Sequence, residues 1–413
     1  MKKNKNNNIF YGWYIVIAGT FAMSISSGIN YHGFGNLFLP LSNEFGWSRT
    51  RISSVFSLAR LENGILGPID GYLIDRFGPR AVILVGVPIM GIGYILLSQI
   101  NGFLSFSIVY ILGITIGSGT LHVPIQTAVA NWFNKKRGLA FGIMWSGVGI
   151  GGMIVPLYGW GIELFGWRET SIYIGIIVIL IGIPCGLIMR HNPYKYGQYP
   201  DGLKVSEDQS SKIKLTDSFD FTPKEALSSS SFWLLTFATG LRILLTSGVS
   251  LHLVPYFVDL GIDPVTAAVF AGSVGVISIP GRFGLSAVGD HFNKRYILMF
   301  SMFLLSISVL ILSYVNSLNG AIIALILYSF AQGGSAVVPN AIMADYFGTK
   351  HYGTIMGFRS IVVTFGVILG PIISGATFDN YGSYQLAFFG FAIVNFIGFI
   401  MIIYSRPPKR SNA

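Results

Sequence analysis

Four arginines, Arg60, Arg242, Arg282 and Arg359, stand inside long apolar runs of this sequence. Each charge in a hydrocarbon-like environment costs at least about 2.5–3.5 kcal/mol on insertion scales, so each needs a partner or a task. A guanidinium is a planar fork that offers a carboxylate two parallel hydrogen bonds, and it does not give up its proton. At a rise of about 1.5 Å per residue, Arg60 and Arg242 come to lie near mid-depth of their runs, while Arg282 and Arg359 lie roughly 8–12 Å from one common boundary. Arg282 and Arg359 are therefore placed to face one ligand, and Arg60 and Arg242 read as charge partners. Glu62 is the acid nearest mid-depth. Two roles are open to it: neutralising Arg60 or Arg242, or carrying a proton, since an apolar surrounding raises a carboxyl pKa. Further polar groups are supplied by Asn30 and Tyr31 towards the far end of the first apolar run, His122 and Gln126 in the fourth, and Gln332 and Asn340 in the tenth. Tyr31 is the preferred contact from the first half of the chain.

The elements that carry these residues follow from composition. Of 413 residues, 52% are hydrophobic and 11% charged. Soluble domains carry about 25% charge, so water-soluble enzymes and disordered chains are excluded and the sequence reads as an all-α integral membrane protein. The single cysteine, Cys185, allows neither an intrachain disulfide nor a multi-cysteine metal site. A span needs about 20 mostly apolar residues, and twelve segments qualify, from 13–39 to 385–404. The net charge of +10 is a sidedness signal rather than a nucleic-acid patch: of 27 Lys and Arg, 20 fall in the terminal segments and in connections on one side, against 3 on the other. This asymmetry predicts a multi-pass protein of the cell membrane, with the lipid bilayer as its surroundings and both termini in the cytoplasm. Residues 191–230 form the one long polar connection. It separates an N-terminal six-helix bundle (1–190) from a C-terminal one (231–413), and it reads as a linker with little structure of its own, followed by a short helix around Thr222–Leu227.

Two connections on the basic side echo each other. One reads Gly71, Asp75, Arg76, Gly78 and Arg80 in a G-x-x-x-D-R-x-G-x-R pattern; the other places Asp290 ahead of Lys294 and Arg295. An acid at a helix C-terminus is disfavoured by the macrodipole. Asp75 is therefore expected to meet the N-terminus of another helix or a neighbouring arginine, latching that face shut, with Asp290 as its counterpart in the second half.

Twelve spans, a central connection and the G-x-x-x-D-R-x-G-x-R loop resemble the major facilitator superfamily over essentially the whole chain. Tyr11–Val16 and the stretch from Trp132 through Gly142 to Ser146-Gly147 are similar to the monocarboxylate transporter family, its microbial branch and the related oxalate/formate exchangers. The acidic residue usual before the first stretch in animal members is absent. The resemblance implies two six-helix bundles rocking about a central site. It also implies that Arg282, in Pro280-Gly281-Arg282, matches the eighth-span arginine that contacts the substrate carboxylate. Arg359 occupies the eleventh-span basic position where the exchanger branch has lysine. The function expected is secondary transport of a small organic anion by alternating access, with a proton-coupled monocarboxylate of the lactate or pyruvate kind first and an oxalate/formate-type exchange as the alternative. A transporter-like sensor is a third reading. No cofactor beyond a coupling proton, no metal, no nucleic acid and a monomeric state are expected. Paired mid-membrane acids and a nucleophile–base constellation are missing, so an enzyme is not expected.

Overall fold

The computed structural model describes residues 9–47, 49–202, 220–262, 264–315 and 317–408; the side chains of Tyr31 and Glu62 lie outside the described part. Among the described residues the chain is helical, with no strand. Ten stretches are long and apolar enough to cross a membrane. One of them, Arg137–Ile188, is two helices: Gly166 at φ 78° ends one and begins the next, a backbone that a side-chain-bearing residue adopts only under strain. The 29-residue helix Arg49–Phe77 is a further rod, kept out of the ten by its own charged residues. The twelve rods are α1 (Tyr11–Leu37), α2 (Arg49–Phe77), α3 (Pro79–Leu97), α4 (Phe103–Trp132), α5 (137–166), α6 (167–188), α7 (Ser230–Asp259), α8 (264–288), α9 (Lys294–Tyr314), α10 (Leu318–Phe347), α11 (Tyr352–Tyr381) and α12 (Gln385–Tyr404).

Polar residues survive inside these rods because their hydroxyls turn back onto the helix. Thr20 donates to the Val16 carbonyl at 2.8 Å, Ser24 to Thr20 at 2.8 Å and Thr239 to Leu235 at 2.7 Å. Prolines 68, 88, 124, 184, 255, 339 and 371 sit within rods, tolerated because neighbouring helices satisfy the freed carbonyls. At the end remote from the termini, Arg168 gathers three connections of the first bundle. It pairs with Glu44 and donates to the carbonyls of Ser98 and Ile100. Its hydrogen bond holds the Glu44 carboxyl below the usual carboxylate range.

The buried core shows which end is shut. One continuous cluster runs through the first bundle and into the second only at the end bearing both termini, through Phe221, Phe232, Leu298, Val338, Phe347, Tyr352 and Met356. A second cluster, including Leu245, Val249, Tyr328 and Phe388, belongs to the far end of the C-terminal bundle alone. The two bundles meet along α2 with α11 and along α5 with α8. A Cβ on Gly357 of α11 would stand 2.2 Å from the Gly67 carbonyl oxygen of α2, so the two helices close only because Gly357 has no side chain.

In the connection between bundles, Pro193–Tyr196 and Pro200–Gly202 form 3-10 turns where little structure is expected, while Pro223–Ser228, closed by a capping box between Thr222 and Glu225, is the short helix expected around Thr222–Leu227; residues 203–219, which carry most of the polar stretch, lie outside the described residues. The physical reason is that its polar side chains find backbone donors on the bundles, so low hydrophobicity does not leave these ends unattached.

Gly357→Ala should force α2 and α11 apart. Overpacking costs about 1–3 kcal/mol, so occupancy of this closed state should fall by at least about fivefold while membrane yield is kept. A transport rate equal to the parent's would refute the need for this contact.

Candidate functional site

Three of the four arginines inside the apolar runs lie in the second bundle. Arg242, Arg282 and Arg359 are only 6%, 8% and 5% exposed. Arg242 on α7 lies within electrostatic range of both Arg359 and Arg282. Arg242, expected only as a charge partner, is thus the arginine that feels both Arg359 and Arg282. Arg282 is placed by local backbone chemistry: Pro280 withdraws a donor, and the helix widens to π-type hydrogen bonding over Gly281–Leu285. A Cβ on Gly281 would meet the Phe330 carbonyl oxygen at 2.0 Å, so α8 presses directly on α10 beside Arg282.

The partners of the trio are neutral. Arg282 donates to the Trp145 carbonyl of α5 at 2.8 Å, across the two bundles. Arg359 donates to the Asn340 side-chain oxygen at 2.7 Å and touches the Met356 sulfur at 3.4 Å. Among the described residues none of the three forms an ion pair, and the Nε of each is buried without a hydrogen-bond partner. Arg137, by contrast, is 7% exposed and fully provided for. It pairs with Asp345 and donates to the carbonyls of Phe133 at 2.9 Å and Ala130 at 3.1 Å.

The first bundle contributes donors and aromatic surface. Trp145 has its indole N–H buried with no partner, and its ring lies 6.3 Å from that of His122. Arg60 lies over the Phe56 ring at 4.5 Å and within electrostatic range of His122 and Tyr110. Gln126, one turn beyond His122 on α4, is 4% exposed with its side-chain oxygen unpartnered. Asn30 is occupied elsewhere: it donates to Ser118 at 2.7 Å and accepts from Tyr110 at 3.0 Å, which makes it a packing residue of its own bundle here. Gln332 is partly buried on α10, two turns before Asn340. Tyr31 and Glu62 are placed by their helices only. Trp145 and Tyr328, the latter bonded to Ser250 and within electrostatic range of Arg242, were not singled out by sequence. Tyr328 lies four residues before Gln332 and so on one helix face with it, a spacing that was available as a signal.

The basic-side loops are arranged with near-twofold repetition. Asp75 accepts from the backbone N–H of Gly353 at 2.9 Å and Thr354 at 2.8 Å, at the start of α11. Asp290 accepts from Gly138 at 2.6 Å and Leu139 at 2.7 Å, at the start of α5. Burial pushes the Asp290 carboxyl up, and the two N–H donors draw it back. Each acid thus reaches the first-turn donors of a helix in the other bundle, where the dipole favours it. Gly71 packs on the Gly353 carbonyl, and Gly78 at φ 83° makes the turn into α3. Arg76 and Arg80 are exposed, Arg76 donating to the Tyr72 hydroxyl at 2.9 Å.

A bundle of twelve membrane rods in two halves, with a polar centre between them, defines a membrane transport protein. The profile of the Major Facilitator Superfamily matches residues 16–327 and 283–413, and the chain belongs to that family. It is therefore a multi-pass membrane protein and not an enzyme. It is 23% identical over 389 residues to monocarboxylate transporter 13 of Rattus norvegicus, covering 92% of this chain and 85% of the relative. It is 25% identical over 407 residues to the oxalate:formate antiporter of Oxalobacter formigenes, covering 96% and 91%. The crystal structure of the human organic anion transporter MFSD10 superposes with a TM-score of 0.73 at 15% identity, covering 95% of this chain and 99% of that one.

Asn340→Leu removes the oxygen that steadies Arg359. A hydrogen bond to a charged group is worth about 1.5–3 kcal/mol, so the KM for anion uptake should rise at least about tenfold with Vmax less affected. An unchanged KM would show that Arg359 is set by packing alone.

Proposed function

We propose that the protein is a secondary transporter of small organic carboxylates that works by alternating access and exchanges one anion for another. The observation that carries this reading is the three arginines Arg242, Arg282 and Arg359, buried and, among the described residues, without an acidic partner. On insertion scales three such charges cost roughly 7–10 kcal/mol, which an anion bound among them offsets in part. The unpartnered donors of the trio and of Trp145 suit carboxylate oxygens.

Exchange follows from the same charges. Guanidinium does not deprotonate, so an empty site keeps its full positive charge while the bundles rock. A loaded site has that charge reduced and recrosses more readily, which couples outward movement of one anion to inward movement of another. Several fixed charges suit a ligand with more than one carboxylate, which favours a small dicarboxylate on one limb, with a monocarboxylate on the other. The names of the relatives, a monocarboxylate transporter and an oxalate:formate antiporter, are consistent with both limbs. Proton symport of a lactate-like monocarboxylate needs a proton carrier, and the residue that sequence offers is Glu62.

Purified protein in liposomes, given labelled oxalate or lactate with or without internal formate and an external acid jump, separates the two modes. Oxalate uptake that requires internal formate and ignores the acid jump is expected. Arg282→Ala should reduce it at least a hundredfold at normal yield. Lactate uptake driven by external acid without an internal anion would overturn exchange. Unchanged uptake by Arg282→Ala would overturn the site itself.

A further inference from the structure

The linker between the bundles ends in two acids that are used in the same way. The Asp201 carboxylate accepts from the backbone N–H groups of Asn134 at 3.1 Å, Lys135 at 2.7 Å and Lys136 at 3.1 Å, the loop that leads into α5. The Asp220 carboxylate accepts from Thr349 at 2.9 Å and Lys350 at 3.1 Å, the loop that leads into α11. These are the two helices whose first turns are gripped from the opposite bundle by Asp290 and Asp75. Each of these helix starts therefore carries two carboxylates: one from the linker on the approach loop, and one from the other bundle on the first turn.

Two further observations mark the linker contacts as specific. Asp201 is the one non-glycine residue at positive φ among the described residues, at 60°, a conformation that costs energy and persists where the surroundings over-determine it. Each anchor is also nailed down by its neighbours. Gly202 packs against Phe10, whose ring lies tilted against Trp132 and edge to face with Phe133, and Phe221 donates its N–H to the Phe347 carbonyl at 3.0 Å with the two rings edge to face.

We infer that Asp201 and Asp220 are positioning residues of the closed state. Each holds its approach loop so that the first-turn N–H groups of α5 or α11 point at the acid of the opposite bundle. The described ends of the linker are thereby structural parts of the closure, Asp201 fastened at the approach to α5 and Asp220 at the approach to α11. The carboxylates act on backbone donors, so hydrogen-bond acceptance, and not ion pairing, is what they supply. The inference holds for any substrate, and its test needs none, so its failure is distinguishable from failure of the anion-exchange reading.

The test reads the closed-to-open ratio directly. Spin labels on Ala81→Cys and Tyr296→Cys, both exposed on the gated end, are placed in a Cys185→Ser background, and their separation is measured in nanodiscs by pulsed electron resonance alongside the melting temperature. Asp201→Ala and Asp220→Ala should each move the distribution toward longer distances, lowering the closed-to-open ratio at least about fivefold. Asp201→Asn, which tolerates positive φ and keeps one oxygen for the Asn134 and Lys135 N–H groups while losing the acceptor for Lys136, should open less than Asp201→Ala. Asp201→Gly relieves the backbone but removes the carboxylate, and should behave like Asp201→Ala. If an alanine variant is lost on purification, the serine variant, with its shorter acceptor, is read in its place. A lowered melting temperature with a parental distance distribution would overturn the inference, reducing both acids to local loop caps. Opening by Asp201→Asn equal to that of Asp201→Ala would overturn the assignment to hydrogen-bond acceptance.

Discussion

A guanidinium in a low-dielectric interior has to be compensated, and the chain meets that constraint in two opposite ways. Arg137 is surrounded by the acceptors it needs: a carboxylate and two carbonyls. Its charge is spent inside the protein and holds the two bundles together. Arg242, Arg282 and Arg359, equally buried, are given a carbonyl, an amide oxygen and a thioether between them. Among the described residues no carboxylate reaches these three, and on the anion-exchange reading proposed above a bound anion is what offsets their charge.

The closure obeys related physics with weaker partners. Four acids, Asp75, Asp290, Asp201 and Asp220, are set on backbone N–H groups at the starts of α5 and α11 or on the loops before them. A carboxylate on helix-terminal donors gains from the dipole, but water replaces those donors at small cost, so contributions of this kind are individually modest. Close glycine contacts such as Gly357 on Gly67 add dispersion without interlocking side chains. A transporter needs two conformations of similar free energy, and a face closed by many small, solvent-replaceable contacts meets that need better than one closed by deep interlocking packing.

Much of this was legible in the sequence, for identifiable reasons. Span length and apolar content are fixed by bilayer thickness, so the twelve rods could be read directly, including α2 despite its charges. The partner of Asp75 was legible because an acid at a helix C-terminus is disfavoured unless another helix offers its N-terminus. The depths of the arginines followed from helical rise. What could not be read was rotation about each helix axis. Rods that are apolar all round carry little directional signal, so nothing in the residues around Asn340 said that it would hold Arg359, or that the Trp145 carbonyl would receive Arg282. Asn30 shows the same gap in reverse, with both amide atoms used within its own bundle. The attachment of Asp201 and Asp220 was not legible because composition speaks only for polarity, while the contacts depend on backbone donors 65 or more residues away from Asp201 and about 130 from Asp220.

Site and closure share their helices. Arg282 lies on α8, two turns from Asp290, and bonds across to α5, the helix whose first turn Asp290 grips. Arg359 lies on α11, five residues beyond Thr354, which Asp75 grips. On the anion-exchange reading, an anion that draws the Arg282 guanidinium off the Trp145 carbonyl would remove a cross-bundle hydrogen bond and replace a neutral acceptor by a charged one on the C-terminal side alone. The energy of binding would then be released at the contacts that separate one face from the other, with no long pathway required. Charge compensation and conformational choice become the same local event, which is what a carrier requires if its empty and loaded forms are to move at different rates.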